Sequence, residues 1–323
     1  MGAACCCGEE EKPTPQAPPP KAPSERKPSE KKSSVNAGPP GEETPGEPQE
    51  KPKKESMVFH SEGGDDAEKF DAAFRGNNIE SLIALMDSNE KIETDEQMHQ
   101  WAKNPRTIGA LAGTQLAIKG AVTAESATEL QPYDPEMKNK IRTMGGITKF
   151  VDFLNSGQED RIHTAVVALS FLCIESPLNA QAAFDAGAMT PLVPLMLSPV
   201  EGLACAAASI LRNIILEDDI AKQKLCSLGG VEGFVKLLEL PKGYKDLGTE
   251  DLQRMLDLKL EALLTICEFM EEPTEERRIV REYAKLVHDA GAREKIKALF
   301  QFNDRELEDV ADDILQSIEE AGH

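Results

Sequence analysis

The clearest chemical signal in the chain is its first seven residues, MGAACCC. Removal of Met1 would expose the amino group of Gly2, and a terminal glycine followed by small residues is the pattern that N-myristoylation requires. The match is imperfect because Cys6 takes the sixth position, where Ser or Thr is usual. A glycine docked at a membrane brings neighbouring thiols within reach of a palmitoyl transferase. The sequence therefore predicts an acylation tip, in which Gly2 carries N-myristate and Cys5, Cys6 and Cys7 carry S-palmitate.

Two lipid types matter because a single myristoyl chain holds a protein on a membrane only marginally, whereas a second chain gives stable attachment. Three adjacent cysteines are also candidate metal ligands, but such neighbours cannot easily direct all their sulfurs at one ion. We therefore predict a membrane partner for this tip, no metal and no cofactor. The predicted location is the cytosolic face of a membrane, either of an organelle or of the cell surface.

Candidate catalytic residues do not form a recognisable site elsewhere in the chain. The sequence holds no G-x-S-x-G nucleophile motif, no G-K-[ST] phosphate loop, no H-E-x-x-H and no paired C-x-x-C. We expect no enzymatic activity. Four further cysteines lie in apolar stretches and are expected to be small buried residues in a reducing compartment. They are Cys173, Cys205, Cys226 and Cys267.

Residues 8–64 are expected to be a disordered linker. They hold 12 of the 21 prolines and are otherwise rich in Glu, Lys, Ser and Gly, so they cannot bury enough apolar surface to offset the entropy of ordering. The net charge of −21 falls almost wholly on the rest of the chain. An acidic body repels nucleic acid and attracts basic protein segments. Neither a secretory signal nor a transmembrane helix is predicted.

From about residue 65 the sequence turns to helical periodicity and repeats itself. A glycine followed by an apolar stripe, as in GGITKFVDFL, recurs at Gly145, Gly187, Gly229 and Gly291, at intervals of 42, 42 and 62 residues. Glycine tolerates the positive φ that commonly ends a helix, and the stripe after it predicts a new helix with one buried face. A second apolar motif recurs in phase with the first, as ALSFL, ILRNI and ALLTI.

Together the two motifs resemble the armadillo repeat, and the resemblance implies an all-α fold. That fold is a right-handed α-solenoid of armadillo repeats over 65–320, preceded by the disordered, acylated tail. The repeats are clearest over 140–240 and extended over 241–318. The HEAT repeat is the nearest alternative, and the choice between the two geometries stays open at 66–130.

The longer repeats carry about ten extra residues near 241–250 and ten near 271–280. Insertions in repeat proteins usually lie in loops on one face, which is often the binding face. Ordinary variation in loop length is the alternative interpretation, and the sequence does not decide between them.

The resemblance also implies where partners bind, because the last helix of each armadillo repeat lines a concave groove. An Asn in the second motif often holds an extended peptide backbone there, but this chain keeps it only as Asn213, with Phe171 and Thr265 at the equivalent positions. Phe171 is alternatively a core residue. The expected groove residues are Ser170, Phe171, Arg212, Asn213, Glu217 and Thr265.

An acylated tip, a linker and an armadillo array together resemble the armadillo-repeats-only type of apicomplexans and, more distantly, the vacuolar type of yeast. This resemblance implies a scaffold that recruits protein partners, a myosin motor among them, to a rhoptry-like secretory organelle and positions it. A membrane-bound regulator of a signalling enzyme or small GTPase is the alternative, followed by a soluble cargo or import adaptor. We expect a monomer whose partners present basic or extended segments.

Overall fold

In a computed structural model of the protein, fifteen α-helices follow one another in groups of three within the described part of the chain. The residues described are 59–61, for the backbone alone, and 65–94, 101–121, 135–216, 218–272 and 278–323. The predicted acylation tip, most of the predicted linker and Glu217 lie outside these residues.

The first two groups have helices of moderate length. The first comprises α1 (Asp65–Arg75), α2 (Ile79–Leu85) and α3 (Ile108–Gly120). The second comprises α4 (Pro135–Thr143), α5 (Gly146–Leu154) and α6 (Glu159–Cys173). Because three helices rather than two build the first group, it follows the armadillo arrangement and not the HEAT arrangement.

The remaining three groups repeat this order, and the last two carry the extra residues. The third comprises α7 (Pro177–Asp185), α8 (Met189–Leu195) and α9 (Glu201–Ile215). The fourth comprises α10 (Asp219–Ser227), α11 (Gly230–Leu237) and α12 (Thr249–Met270). The fifth comprises α13 (Arg281–Asp289), α14 (Ala292–Lys297) and α15 (Arg305–Glu320).

Glycine separates the first and second helices of the later groups, as the sequence predicted. Gly145, Gly187, Gly229 and Gly291 have φ values of +83°, +85°, +72° and +79°. Residues other than glycine rarely adopt this left-handed conformation, so the glycines fix where one helix ends and the next begins.

The core follows the 42-residue period. Phe150, Leu192 and Phe234 occupy the same position in α5, α8 and α11, and each is at most 1% exposed. Burial of such a side chain contributes roughly 1.5–3 kcal/mol. Over this layer the third helices pack in series, α3 on α6, α6 on α9, α9 on α12 and α12 on α15. This series forms one continuous face, so the solenoid predicted from the sequence is confirmed.

A small antiparallel sheet departs from the sequence prediction. Strand β1 (Phe59–Ser61) pairs with β2 (Ile92–Thr94), with Phe59 opposite Thr94. Strand β1 lies inside residues 8–64, the segment predicted to be the linker. Three-residue strands are too short to show an alternating pattern, so no strand was predicted there.

The first insertion lengthens a helix as well as a loop. Helix α12 has 22 residues, whereas α6 and α9 have 15 each, and a 3₁₀ turn at Tyr244–Asp246 precedes it. At the second insertion, Glu271 forms an isolated bridge with Ile279. The extra length therefore enlarges the third helix of the fourth repeat.

Two buried lysines close the ends of third helices. Lys138 Nζ donates a hydrogen bond to Ile174 O at 2.6 Å, just beyond α6, and Lys222 Nζ donates to Glu268 O at 2.7 Å, in the last turn of α12. Both side chains are at most 2% exposed. The last carbonyls of a helix lack partners within it, so each lysine satisfies groups that would otherwise be unpaired. Burial lowers the pKa of Lys138 to about 8.

Candidate protein-binding groove

The third helices α6, α9 and α12 line an open depression of about 370 Å³, which we call the groove. Helix α6 contributes Ser170 and Phe171, and α12 contributes Arg254, Asp257 and Glu261. The lining from α9 is mainly small or polar. It consists of Glu201, Gly202, Cys205, Ala206 and Ser209. Small residues on the central helix leave room between the larger side chains of its two neighbours.

One wall of the groove comes from a distant part of the chain. Trp101 belongs to the connection between β2 and α3, and its ring lies directly over Gly202 of α9. A Cβ atom at Gly202 would lie 2.1 Å from Trp101 Cδ1, a distance that no side chain can occupy. Glycine is therefore required at residue 202 by the close approach of the indole.

Hydrogen bonds hold this connection against α6. The backbone N–H of Arg106 donates to Asp160 Oδ2 at 2.9 Å, and the Arg161 guanidinium donates to Ser88 O at 2.6 Å. Asp160 and Arg161 are both buried. Charge-assisted hydrogen bonds between buried groups are strong and directional. The bond to Arg106 therefore holds the end of this connection against α6, and the bond to Ser88 holds the segment between α2 and β2 there.

His163 of α6 lies beneath the indole, with its ring centroid 6.0 Å from that of Trp101. Burial lowers the pKa of His163 below its usual range, and Glu159 acts in the opposite direction. Its Nδ1 atom has no hydrogen-bond partner within the part of the chain that the structure describes. The imidazole is therefore a neutral packing group under the tryptophan.

Carboxylates give the groove its charge. Glu261 Oε1 lies 2.8 Å from Arg212 Nε, and the side chains are 13% and 27% exposed. The contact is a close ion pair between two largely buried groups. Burial raises the pKa of Glu261 and Arg212 opposes that rise. Glu201 and Asp257 add two more carboxylates to the lining.

The thiol of Cys205 is not a nucleophile in this setting. Burial, together with the nearby carboxylates of Glu261 and Asp257, raises the pKa of Cys205 to about 12. A thiol that stays protonated at neutral pH is unreactive. Within the described ranges, no group of three or more His, Cys, Asp or Glu side chains is placed to hold a metal ion. The groove thus offers shape and charge.

The structure brings some of the predicted groove residues together. Ser170 and Phe171 are half-buried and line the depression, so Phe171 belongs to the groove and not to the core. Arg212 stands beside the lining and contacts it through Glu261. Asn213 is half-buried, and its Nδ2 donates to Ser209 O of its own helix at 2.8 Å.

The prediction for Thr265 is wrong. Its side chain is 0% exposed, and its hydroxyl donates to Glu261 O, one turn earlier in α12, at 2.7 Å. A hydroxyl that bonds back to its own helix can be buried without an unpaired polar group, which is how Thr occupies a core position. Thr265 cannot reach a ligand in the groove.

The remaining lining residues were missed, although a sequence signal existed for part of them. Ser209 and Glu261 are 52 residues apart, and so are Cys205 and Asp257. This is the same interval that relates Asn213 to Thr265, so extending it backward along α12 would have found both carboxylates. Trp101 gave no such signal, because its position depends on a long connection and not on the repeat.

A larger depression of about 1210 Å³ lies beside β2 and the start of α6. Its lining alternates in sign, with Lys103, Arg106, Glu159 and Asp160 among its members. Lys103 Nζ and Glu159 Oε1 lie 3.5 Å apart. No single charge or shape selects a ligand there, so the groove between the third helices is the better candidate.

The fold and the groove define a class of protein, the helical-repeat scaffolds that bind other proteins along a concave face. The chain belongs to the armadillo-repeat family. Residues 176–215 match the profile of the Armadillo/beta-catenin-like repeat. The structure is similar to that of ARO, the armadillo repeats only protein from Plasmodium falciparum, with a TM-score of 0.70 and 32% identity over 80% of this chain and 100% of that one.

Other similarities support the fold. A computationally designed armadillo repeat protein for modular peptide recognition matches 77% of this chain and 86% of its own, with a TM-score of 0.53 and 18% identity. By sequence, 75 residues are 32% identical to the human armadillo repeat-containing protein 3. That match spans 23% of this chain and 9% of the human protein. None of the helices in the described part of the chain combines the length and apolar character needed to span a bilayer.

Proposed function

We propose that the chain is a membrane-anchored scaffold without catalytic activity that holds an extended, basic segment of a partner protein in the groove. The observation that carries this proposal is the face shared by α6, α9 and α12, where three carboxylates, one arginine and two aromatic side chains surround a floor of small residues, so that negative charge is in excess. Carboxylates favour Lys and Arg, and aromatic faces attract the same cations.

The anchor in this proposal is the amino-terminal tip. Gly2 carries myristate, and one or more of Cys5, Cys6 and Cys7 carry palmitate. The protein then works on the cytosolic face of a membrane, with a rhoptry-like secretory organelle as the expected site and a myosin motor as the expected partner.

Trp101 makes the groove testable without a label, because it is the only tryptophan in the chain. Three helices spaced by about 10 Å span a distance that about nine extended residues cover. We would titrate an amidated peptide of that length, built from Lys, Arg and Ser, into the full chain and follow Trp101 emission. We expect a saturable change that weakens as salt is added, because exposed charges are screened.

Variants assign the signal to the groove. Replacement of Glu201 by Gln together with Asp257 by Asn should lower the affinity for the peptide about tenfold, which corresponds to about 1.4 kcal/mol of binding free energy. The matched control, Glu80→Gln with Glu306→Gln, removes the same charge from exposed positions on α2 and α15. Equal affinities for both double variants would reject the groove as the binding site.

A separate experiment tests the anchor. Gly2→Ala and a variant with Ala at all three tip cysteines should each leave the membrane fraction in cells, and mass spectrometry of the native amino terminus should find both fatty acids. Proximity labelling with the wild type and Gly2→Ala then identifies partners that depend on the membrane. A motor favours the scaffold, a cyclase or GTPase favours the regulator, and unchanged membrane localisation of both variants refutes the anchor.

A further inference from the structure

A short pattern recurs outside the groove, where the third helix of one repeat passes into the first helix of the next. Ile174-Glu175-Ser176-Pro177-Leu178 and Leu216-Glu217-Asp218-Asp219-Ile220 share an apolar residue, a glutamate, two variable residues and a second apolar residue. The two segments are 42 residues apart, so they lie at the same place in neighbouring repeats. The described residues of these segments, 174–178, 216 and 218–220, are called here the rim.

The second apolar residue of each segment faces solvent. Leu178 is 65% exposed and Ile220 is 70% exposed, the highest values among the large apolar side chains that the structure describes. Both are the second residue of a helix, α7 or α10. Leu216, the C-cap of α9, is 37% exposed, and Ile174, the C-cap of α6, is half-buried. Apolar side chains therefore mark both ends of each segment.

Neighbouring repeats show that the architecture does not require apolar residues here. The second residue is Glu136 in α4 and Glu282 in α13. Ile174 and Leu216 are the C-cap residues of α6 and α9, and the equivalent C-cap residue of α12 is Glu271. The exposed apolar pair is thus confined to two adjacent repeats and serves no purpose in the packing of either.

Backbone conformation keeps charge beside these apolar groups. Glu175 has φ of +50°, a left-handed conformation that residues other than glycine seldom adopt, and its side chain is exposed. Asp218 caps α10, because its Oδ1 accepts hydrogen bonds from Ile220 N at 2.8 Å and Ala221 N at 3.1 Å. Asp219 is exposed. The capping carboxylate therefore stands one turn or less from the exposed Ile220.

The charge of the rim has one sign. The described residues of its two segments include three acidic side chains, those of Glu175, Asp218 and Asp219, and no Lys or Arg. Two lysines adjoin the rim, Lys222 and Lys138, but both are at most 2% exposed and donate to backbone carbonyls, that of Ile174 in the case of Lys138, so neither presents its ammonium group at this surface. An apolar pair surrounded by carboxylates has a definite complement, which is a segment with apolar side chains flanked by basic ones.

We infer that the rim is a second docking surface, and that it binds a basic segment of a partner protein that presents two apolar side chains to Leu178 and Ile220. Equivalent positions in stacked helices are about one helix diameter apart, about 10 Å. Residues seven apart on a helix are separated by about 10.5 Å, so an amphipathic helix places its apolar side chains at the required spacing. The surface lies outside the groove apart from Ile174.

The probe is a fluorescein-labelled helical peptide rich in Lys and Ala, with two Leu residues seven positions apart, and fluorescence anisotropy reports its binding to the full chain. The test variant is Leu178→Glu combined with Ile220→Glu. The control, Leu197→Glu combined with Leu286→Glu, makes the same change at apolar side chains that are 39% and 41% exposed elsewhere. We expect the test variant to bind at least about tenfold more weakly and the control to stay within about twofold.

Peptide variants check the chemistry. Replacement of both Leu by Ser, or of all Lys by Glu, should abolish the part of the binding that the test variant loses. Asp257→Asn should leave that part unchanged, which separates failure of the rim from failure of the groove. Equal affinity for the test and control variants would overturn the inference. So would concentration-dependent dimerisation in sedimentation that only the test variant loses, because the rim would then bind a second copy of the chain.

Discussion

The indole of Trp101 and the backbone of Gly202 are in direct contact across the groove, although 101 residues of sequence separate them. The contact joins the first armadillo unit to the third, and it sets the width of the groove at one end. Any side chain at residue 202 must displace the ring.

Gly202→Val therefore tests whether the ring holds its position. We expect Trp101 emission to move to longer wavelength as the indole is forced toward water, with a loss of about 1–3 kcal/mol in the free energy of unfolding from overpacking. Fluorescence and chemical denaturation measure both. Gly248→Ala is the control, because a Cβ there meets no atom within 4 Å. An unshifted emission spectrum in Gly202→Val would show that the contact does not position the ring.

The pair of Arg212 and Glu261 is expected to be worth more than a surface ion pair. Arg212→Met should lower the free energy of unfolding by about 1.5–3 kcal/mol, because it leaves a largely buried carboxylate without its cation. Glu261→Gln in the same background should recover part of the loss. A double-mutant cycle at pH 7 measures the coupling, and additive effects would mean that the two groups do not interact.

The pH dependence of Arg212→Met follows from the same carboxyl group. Burial raises the pKa of Glu261 in the folded protein, so the folded state binds more protons than the unfolded chain between the two pKa values. Stability from this group is therefore greatest at low pH and declines as pH rises through the folded pKa. Loss of Arg212 should deepen that decline, and urea denaturation from pH 4 to 7 would measure it.

Thr265 is expected to behave as a core residue. Thr265→Val removes one hydrogen bond to Glu261 O and should cost about 0.5–1.5 kcal/mol, without affecting peptide binding. Thr265→Asn, which would extend the row begun by Asn213, should cost about 2 kcal/mol or more, because it overpacks a buried site. Chemical denaturation and peptide titration of both variants test this. Tighter peptide binding by Thr265→Asn would restore the original prediction.

His163 is expected to make the groove sensitive to acid. Its pKa is lowered from 6.5 by burial, so below about pH 6.5 the unfolded chain binds more protons than the folded protein. The free energy of unfolding contributed by this residue should therefore fall as pH drops through that value. His163→Gln should flatten the dependence between pH 7 and 5, as followed by Trp101 emission. An identical profile in wild type and variant would assign the dependence to other groups.

Lys138 is expected to make the stability of the protein depend on pH in the alkaline range. Its pKa is about 8 in the folded protein and 10.5 in the unfolded chain, so stability should rise as pH increases through this window. Lys138→Met should abolish the rise and also lower stability by about 1–3 kcal/mol, because Ile174 O loses its donor. Thermal unfolding between pH 7.5 and 10.5 tests both effects, and a rise that persists in the variant would contradict them.

The repeating parts of the fold could be predicted because local rules determine them. Glycine at residues 145, 187 and 229 and the apolar stripes after them locate helix ends and core faces without knowledge of the partners. The groove position of Phe171 could be predicted for the same reason, because it follows from the 42-residue period. The period also misassigned Thr265, because helix α12 is longer and its neighbour α15 packs on it.

Contacts between distant segments could not be predicted in this way. Strands β1 and β2 are positioned by their backbone pairing, and Trp101 is positioned by its close approach to Gly202. Neither kind of contact produces a periodic pattern in the sequence. The buried lysines at 138 and 222 are a similar case, since a lysine in an amphipathic helix is ordinarily assigned to the solvent face.

Those two lysines imply a rule for anyone who would re-engineer the array. They occupy the same position in α4 and α10, whereas the intervening and following first helices place Ala180 and Ala284 there, both buried. Successive junctions therefore alternate in chemistry. Removing or duplicating a single repeat would place a lysine junction where an alanine junction is required, or the reverse. Removing or duplicating two neighbouring repeats together would keep the alternation. The smallest exchangeable unit of this array is therefore a pair of repeats.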